Sequence, residues 1–374
     1  MPMLRMRAGP SVRNICLNEW ACCIVPSANE GKKQRGSSMD EKKRWKEMDI
    51  LRGWAILMVL LYHSIIVFPL NLHEIQWCKT LHTFLWTVQM PLFFLVSGFC
   101  YSFHGNYREY ALRKCRRILV PHIVFSALDI LPRLIPNPLV HEQMDIGAAV
   151  VDFVFYGGSD WFLWTLFVIV MVFPLLEKLF TGSLKMRKAG ILLVILFFLG
   201  KPYMTDFLLL NMVCQYLLYF FSGFGLRRRA DRLRSAGLQK RNVIPGFFSM
   251  TVCFAVFIFF SHKQIGETWE ICLELLCVFG SFLFFFGLTA FCTGRLGDFV
   301  AVCGKWSLQM YLLDAYALVF TRTVLVSMMG LDNPVIIIAG NFLLDTAIVL
   351  LVSRYVLTKA KVFRFLCGIP EKVV

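Results

Sequence analysis

The chain has 374 residues, of which 57% are hydrophobic and only 17% charged, with 36 phenylalanines among them. That balance excludes a set of soluble domains and belongs to a polytopic membrane protein. The formal net charge of +15, from 39 Lys and Arg against 24 Asp and Glu, is clustered between apolar runs. Clusters of that kind suit membrane-facing loops and lipid headgroups, and no nucleic-acid-binding pattern is present.

Residues 1–44 are basic and contain Gly, Pro and Ser with no sustained apolar period, so they are expected to form a disordered tail. Met39 opens the charged run MDEKKRWKEMD directly before the first apolar segment, which makes it a second candidate start of translation.

Apolar length then predicts ten helical spans, at roughly 49–69, 81–103, 113–135, 161–180, 189–206, 208–226, 243–262, 269–292, 300–321 and 334–357. Basic residues precede the first span (Lys42, Lys43, Arg44, Lys46). They follow the second (Arg113, Lys114, Arg116, Arg117), the fourth (Lys185, Arg187, Lys188), the sixth (Arg227, Arg228, Arg229) and the tenth (Lys359, Lys361, Arg364). Every second connection is therefore basic, only weakly so after the eighth span around Arg295 and Lys305, and the positive-inside rule puts both termini in the cytoplasm. The expected fold is an all-α, polytopic integral-membrane bundle of about ten transmembrane helices. It divides into a membrane domain over 45–358 and a cytoplasmic tail over 359–374.

The first span, DILRGWAILMVLLYHSIIVFP, carries Asp49, Arg52 and His63. Ionisable groups are costly in hydrocarbon and mark functional sites by default. Eleven positions at about 100° each return His63 to within roughly 20° of the helix face of Arg52, about 16 Å further along. The same pattern also fits terminal groups that snorkel to the interface and an interior histidine with its hydrogen bonds satisfied.

In the second span, Gln89 supplies an amide beside a break at Met90-Pro91, and Ser97-Gly98 is a small pair suited to helix packing. Arg113 and Arg116, three apart, share a face if the third helix has begun, and could present forked donors to a phosphate; a positive-inside anchor is the plainer alternative. Trp161 and Trp164 open the fourth span as an aromatic belt or a sugar-stacking surface. The 13 cysteines lack metal-ligand spacing, and no metal is expected. Asp129, Glu274, Asp314 and Asp345 lie inside apolar spans and need partners or a wet cavity, with Asp314 placed nearest the site.

Arg52 followed after ten residues by His63, then MPLFFLVSG, then RKCR with a downstream Pro, then WFLWTL, and finally GKWSLQMYLL resembles acyltransferase family 3. These are integral-membrane O-acyltransferases, including fucose 4-O-acetylase-like proteins. The resemblance covers about residues 45–357. It implies ten helices in the cell membrane and an acyltransferase that moves groups other than aminoacyl groups. The donor would be a cytoplasmic acyl-CoA, in the first place acetyl-CoA, and the acceptor a hydroxyl of a sugar, surface polysaccharide or lipid-linked glycan.

By position, the family's essential Arg and His correspond to Arg52 and His63, and its paired arginines to Arg113 and Arg116. His63 would be the general base, Arg52, Arg113 and Arg116 would hold the donor, and Asp49, Gln89, Ser97, Trp161 and Asp314 would support them. Many members have His where Gln89 and Asp314 stand. A membrane exporter of a glycan or small molecule is the alternative, since it too would need intramembrane charges.

Overall fold

The structure is a computed structural model that describes residues 45–65, 72–134, 145–158, 160–228, 238–261 and 267–370. The expected tail over 1–44, with the candidate start at Met39, lies outside the described residues. Among those described, every regular element is helical.

In chain order these are α1 (Lys46–Ile65), α2 (Gln76–Phe99), α3 (Tyr107–Lys114), α4 (Val120–Ile130), α5 (Ile146–Phe155), α6 (Trp161–Thr181) and α7 (Leu184–Leu199). After them come α8 (Leu210–Arg227), α9 (Val243–Ser261), α10 (Glu267–Leu288), α11 (Gly294–Lys305), α12 (Ser307–Arg322), α13 (Pro334–Leu351) and α14 (Lys361–Leu366).

Eight helical stretches among the described residues are long and apolar enough to cross a membrane. The two other expected spans are present as helices of different shape. The third begins earlier than expected, at Tyr107, because the Asn106 side chain caps the backbone N–H of Arg108. It passes through a π-turn at Cys115–Leu119 before becoming α4. The fifth, α7, is cut to 16 residues: Ser183 caps its start, and it closes at Gly200, just ahead of Lys201-Pro202. The ninth span also differs. The stretch expected at 300–321 breaks at Trp306, so that α11 is a separate helix and the membrane-length segment runs Ser307–Met328.

α1 is the hub. Of its apolar window 78% is buried, against 11% for Val243–Phe260 at the periphery. It packs against α2, α10, α11, α12 and α13. Burial on all sides is what an apolar helix without a polar face requires.

The closest approaches use glycine. A Cβ on Gly53 would strike the carbonyl of Val300, and one on Gly304 the carbonyl of Asp49, so α1 and α11 meet backbone to backbone. Gly98 and Gly223 do the same for α2 and α8, against the carbonyls of Phe220 and Leu95. Packing alone therefore accounts for Gly98.

α1 and α2 run antiparallel. Trp45 meets Phe99 edge to face at 5.6 Å at one end, and Tyr62 stacks on His82 at 4.1 Å at the other. The bundle thus has an Arg52 end and a His63 end, and the two chemistries are built at opposite ends of α1.

Candidate active site

At the Arg52 end, the guanidinium Nη1 lies 3.8 Å from Asp49 Oδ1, one helical turn back on α1, and both side chains are only 4% exposed. A buried charge needs such compensation. Beside them is a cavity of about 20 Å³ lined by Arg52, Ser97, Tyr101, Lys114 and Phe220 among others. That is room for about one water molecule. Tyr101 ties this end to its surroundings: its hydroxyl donates to Glu177 Oε2 at 3.0 Å, and its carbonyl accepts from Arg227 Nη1.

Lys114, which sequence reasoning passed over, is the member of the RKCRR run that borders the Arg52 cavity. It is 7% exposed, and its ammonium sits over the Tyr110 ring at 5.2 Å. Arg113 is half-buried at the end of α3, while Arg116 is exposed within the π-turn. Nothing in the run's composition distinguishes Lys114; only the rotation of the helix turns it inward.

At the other end, His63 Nδ1 is hydrogen-bonded to Asp314 Oδ2 on α12. Asp314 is buried, whereas the imidazole is about one-third exposed (34%). Asp345 on α13 is fully buried and interacts with Asp314, so two carboxyl groups stand behind the imidazole. Asn341, one turn earlier on α13, is also fully buried, and neither atom of its amide has a hydrogen-bond partner among the described residues.

An aromatic series leads away from His63. Tyr62 contacts Trp86 at 5.6 Å, Trp86 contacts Trp161 at 5.8 Å, and Trp161 contacts Tyr216 at 5.5 Å. Trp161 thus joins the His63 end through Trp86, a residue sequence reasoning did not single out. The i, i+4 spacing of His82 and Trp86 is the signal that could have found it.

Gln89 lies seven residues after His82, hence close to the same face of α2. It is fully buried, and its amide atoms have no hydrogen-bond partner among the described residues. Trp164 turns elsewhere and donates its indole N–H to the carbonyl of Leu208 at 3.1 Å. No cluster of metal-ligating side chains occurs among the described residues.

The arrangement has the parts for proton transfer from an acceptor: a partly open imidazole, oriented by a buried carboxyl, beside exposed aromatic surface. A family model described as an acyltransferase domain matches residues 45–353. The chain belongs to acyltransferase family 3. No curated protein and no solved structure matches it. In this acyltransferase, the matched region contains both the buried Asp49–Arg52 pair and the His63–Asp314 pair.

Proposed function

We propose that the chain is a cell-membrane O-acyltransferase that moves an acyl group, an acetyl in the first instance, from cytoplasmic acyl-CoA to a hydroxyl of a sugar or surface glycan. The observation that carries this reading is the hydrogen bond between His63 Nδ1 and buried Asp314. With Nδ1–H donating to the carboxylate, Nε2 keeps its lone pair and is the nitrogen that can take a proton.

The acceptor hydroxyl gives its proton to Nε2 as its oxygen attacks the thioester carbonyl. The C–S bond then breaks, and the leaving thiolate recovers the proton from the imidazolium. His63 acts as general base and then as general acid, and Asp314 fixes its tautomer. Arg52, with Arg113 and Arg116, supplies fixed positive charge for the donor's phosphates. Asp49 orients Arg52.

Purified protein, acetyl-CoA labelled in its acetyl group and candidate glycans test the reading. His63→Ala should fold and lose transfer by at least about a hundredfold, the usual scale of a general base. A folded His63→Ala protein that transfers label at the wild-type rate refutes the role.

A further inference from the structure

The His63 end holds a second polar feature that the mechanism does not use. A cavity of about 420 Å³ opens where the corner between α7 and α8 faces α9 and α10, and its polar lining is Lys201, Asn211, Gln215, Glu270 and Glu274. Phe257, Pro202 and Ile271 form its apolar wall. Glu274 lies about two turns into a helix that carries no further charge beyond it, where a carboxylate is expensive unless it is engaged. It is engaged: Lys201 Nζ is 3.5 Å from its Oε2, and Gln215 Nε2 donates to its Oε1 at 3.1 Å. Glu270 lies one turn before it on the same helix face and adds a second carboxylate.

The cavity lies at the same end of the bundle as His63, linked to it through a series of rings. Gln215 on its wall is followed by Tyr216, the last ring of the series that runs over Trp161 and Trp86 to Tyr62 beside His63. Two carboxylates against one ammonium disfavour an anion. Five polar side chains disfavour a hydrocarbon chain. Amide and carboxylate groups beside an apolar wall that includes the Phe257 ring suit an uncharged, hydroxyl-rich ligand, and the volume is that of a small-molecule site.

We propose that this cavity is a second acceptor subsite. It would hold a sugar unit of the same chain whose other unit lies against Trp86, the exposed ring of the series, and presents its hydroxyl to His63, so that the preferred acceptor is an oligomer rather than a single sugar. The place of the subsite in catalysis rests on the acyltransfer reading above; the binding itself does not.

The test uses the full-length protein in detergent and sugars released from the surface glycan of the cells that express it, fractionated by length from single sugars to oligomers. Binding, followed by tryptophan fluorescence without any acyl donor, should tighten about tenfold from the single sugar to the oligomer. Glu274→Gln should abolish that gain, and so should Glu270→Gln, which leaves the Lys201–Glu274 pair intact and guards against misfolding. Affinity that is independent of length overturns the subsite, as does a gain that survives in both variants, or equal weakening of single sugar and oligomer.

Label transfer from acetyl-CoA separates the two ideas. Length-dependent binding without transfer to any fraction refutes the acyltransfer reading and keeps the subsite. Transfer to the single sugar with length-independent binding does the reverse.

Discussion

Arg52 and His63 share one face of α1, but Arg52 is 3% exposed and ion-paired on its own helix, whereas His63 is about one-third exposed and takes its partner from a position 251 residues away. Around Arg52, glycine contacts bring α11 against the backbone of α1, and the cavity beside it admits about one water. Around His63 the contacts are side chain to side chain and largely aromatic. The contrast separates two duties along a single helix. The Arg52 end is built for fixed charge in a rigid frame, and the His63 end for a half-buried base held by a carboxyl.

Five substitutions sharpen or break that contrast. The largest effect is expected for Arg52→Ala, which breaks the buried Asp49–Arg52 pair and should cost about 3–5 kcal/mol of stability, read as a lowered midpoint in thermal unfolding in detergent. A variant as stable as wild type would mean that the Arg52 end is not a structural frame. Asp314→Asn should retain the fold and slow transfer about a hundredfold at saturating donor, equivalent to about 2.7 kcal/mol, with little change in KM. A change confined to KM would make Asp314 a binding group instead.

Gly304→Ala should push α11 off the carbonyl of Asp49 and destabilise the fold by about 1–3 kcal/mol. The same change at Gly330, where nothing lies nearby but φ is +64°, should act only through backbone strain. Equal melting midpoints for the two would contradict close packing as the constraint at Gly304.

The last substitution concerns Asp160, just ahead of α6. Burial first, and then the neighbouring Asp129 carboxyl, push its own carboxyl up to about 7, against an opposing hydrogen bond from Ser126. A carboxyl that holds its proton more firmly in the folded state makes stability fall as pH rises, from about 4 to about 7. Asp160→Asn should flatten that part of the curve and raise the melting midpoint above pH 7. An unchanged slope between those limits would rule out Asp160 as its source.

Much of the fold was legible because membrane helices announce themselves by apolar length, a property each segment carries alone. The Arg52–His63 face was legible for the same reason, being set by spacing within one helix. What could not be read depends on partners distant in sequence. The break at Trp306 falls beside Gly304, which meets the carbonyl of Asp49 on another helix, and the inward turn of Lys114 accompanies a π-turn that the run RKCRR does not signal. The link from Trp161 to His63 passes through Trp86 on another helix, and the polar cavity draws its walls from α8, α9, α10 and the α7–α8 corner. Asp314 was marked by its charge in an apolar span and by the family's His at that position; the bond to His63 is a product of tertiary packing.

The glycine contact at Gly53 also turns α1 into a gauge. Because Gly53 is pinned against the carbonyl of Val300 while His63 must meet Asp314, the number of residues between them is constrained as tightly as their identity. Removing a single residue from AILMVLLY would leave the segment as hydrophobic as before, yet would swing the imidazole about 100° around the helix axis and draw it back by about 1.5 Å. Through this stretch the protein can drift in composition, but insertions and deletions are closed to it.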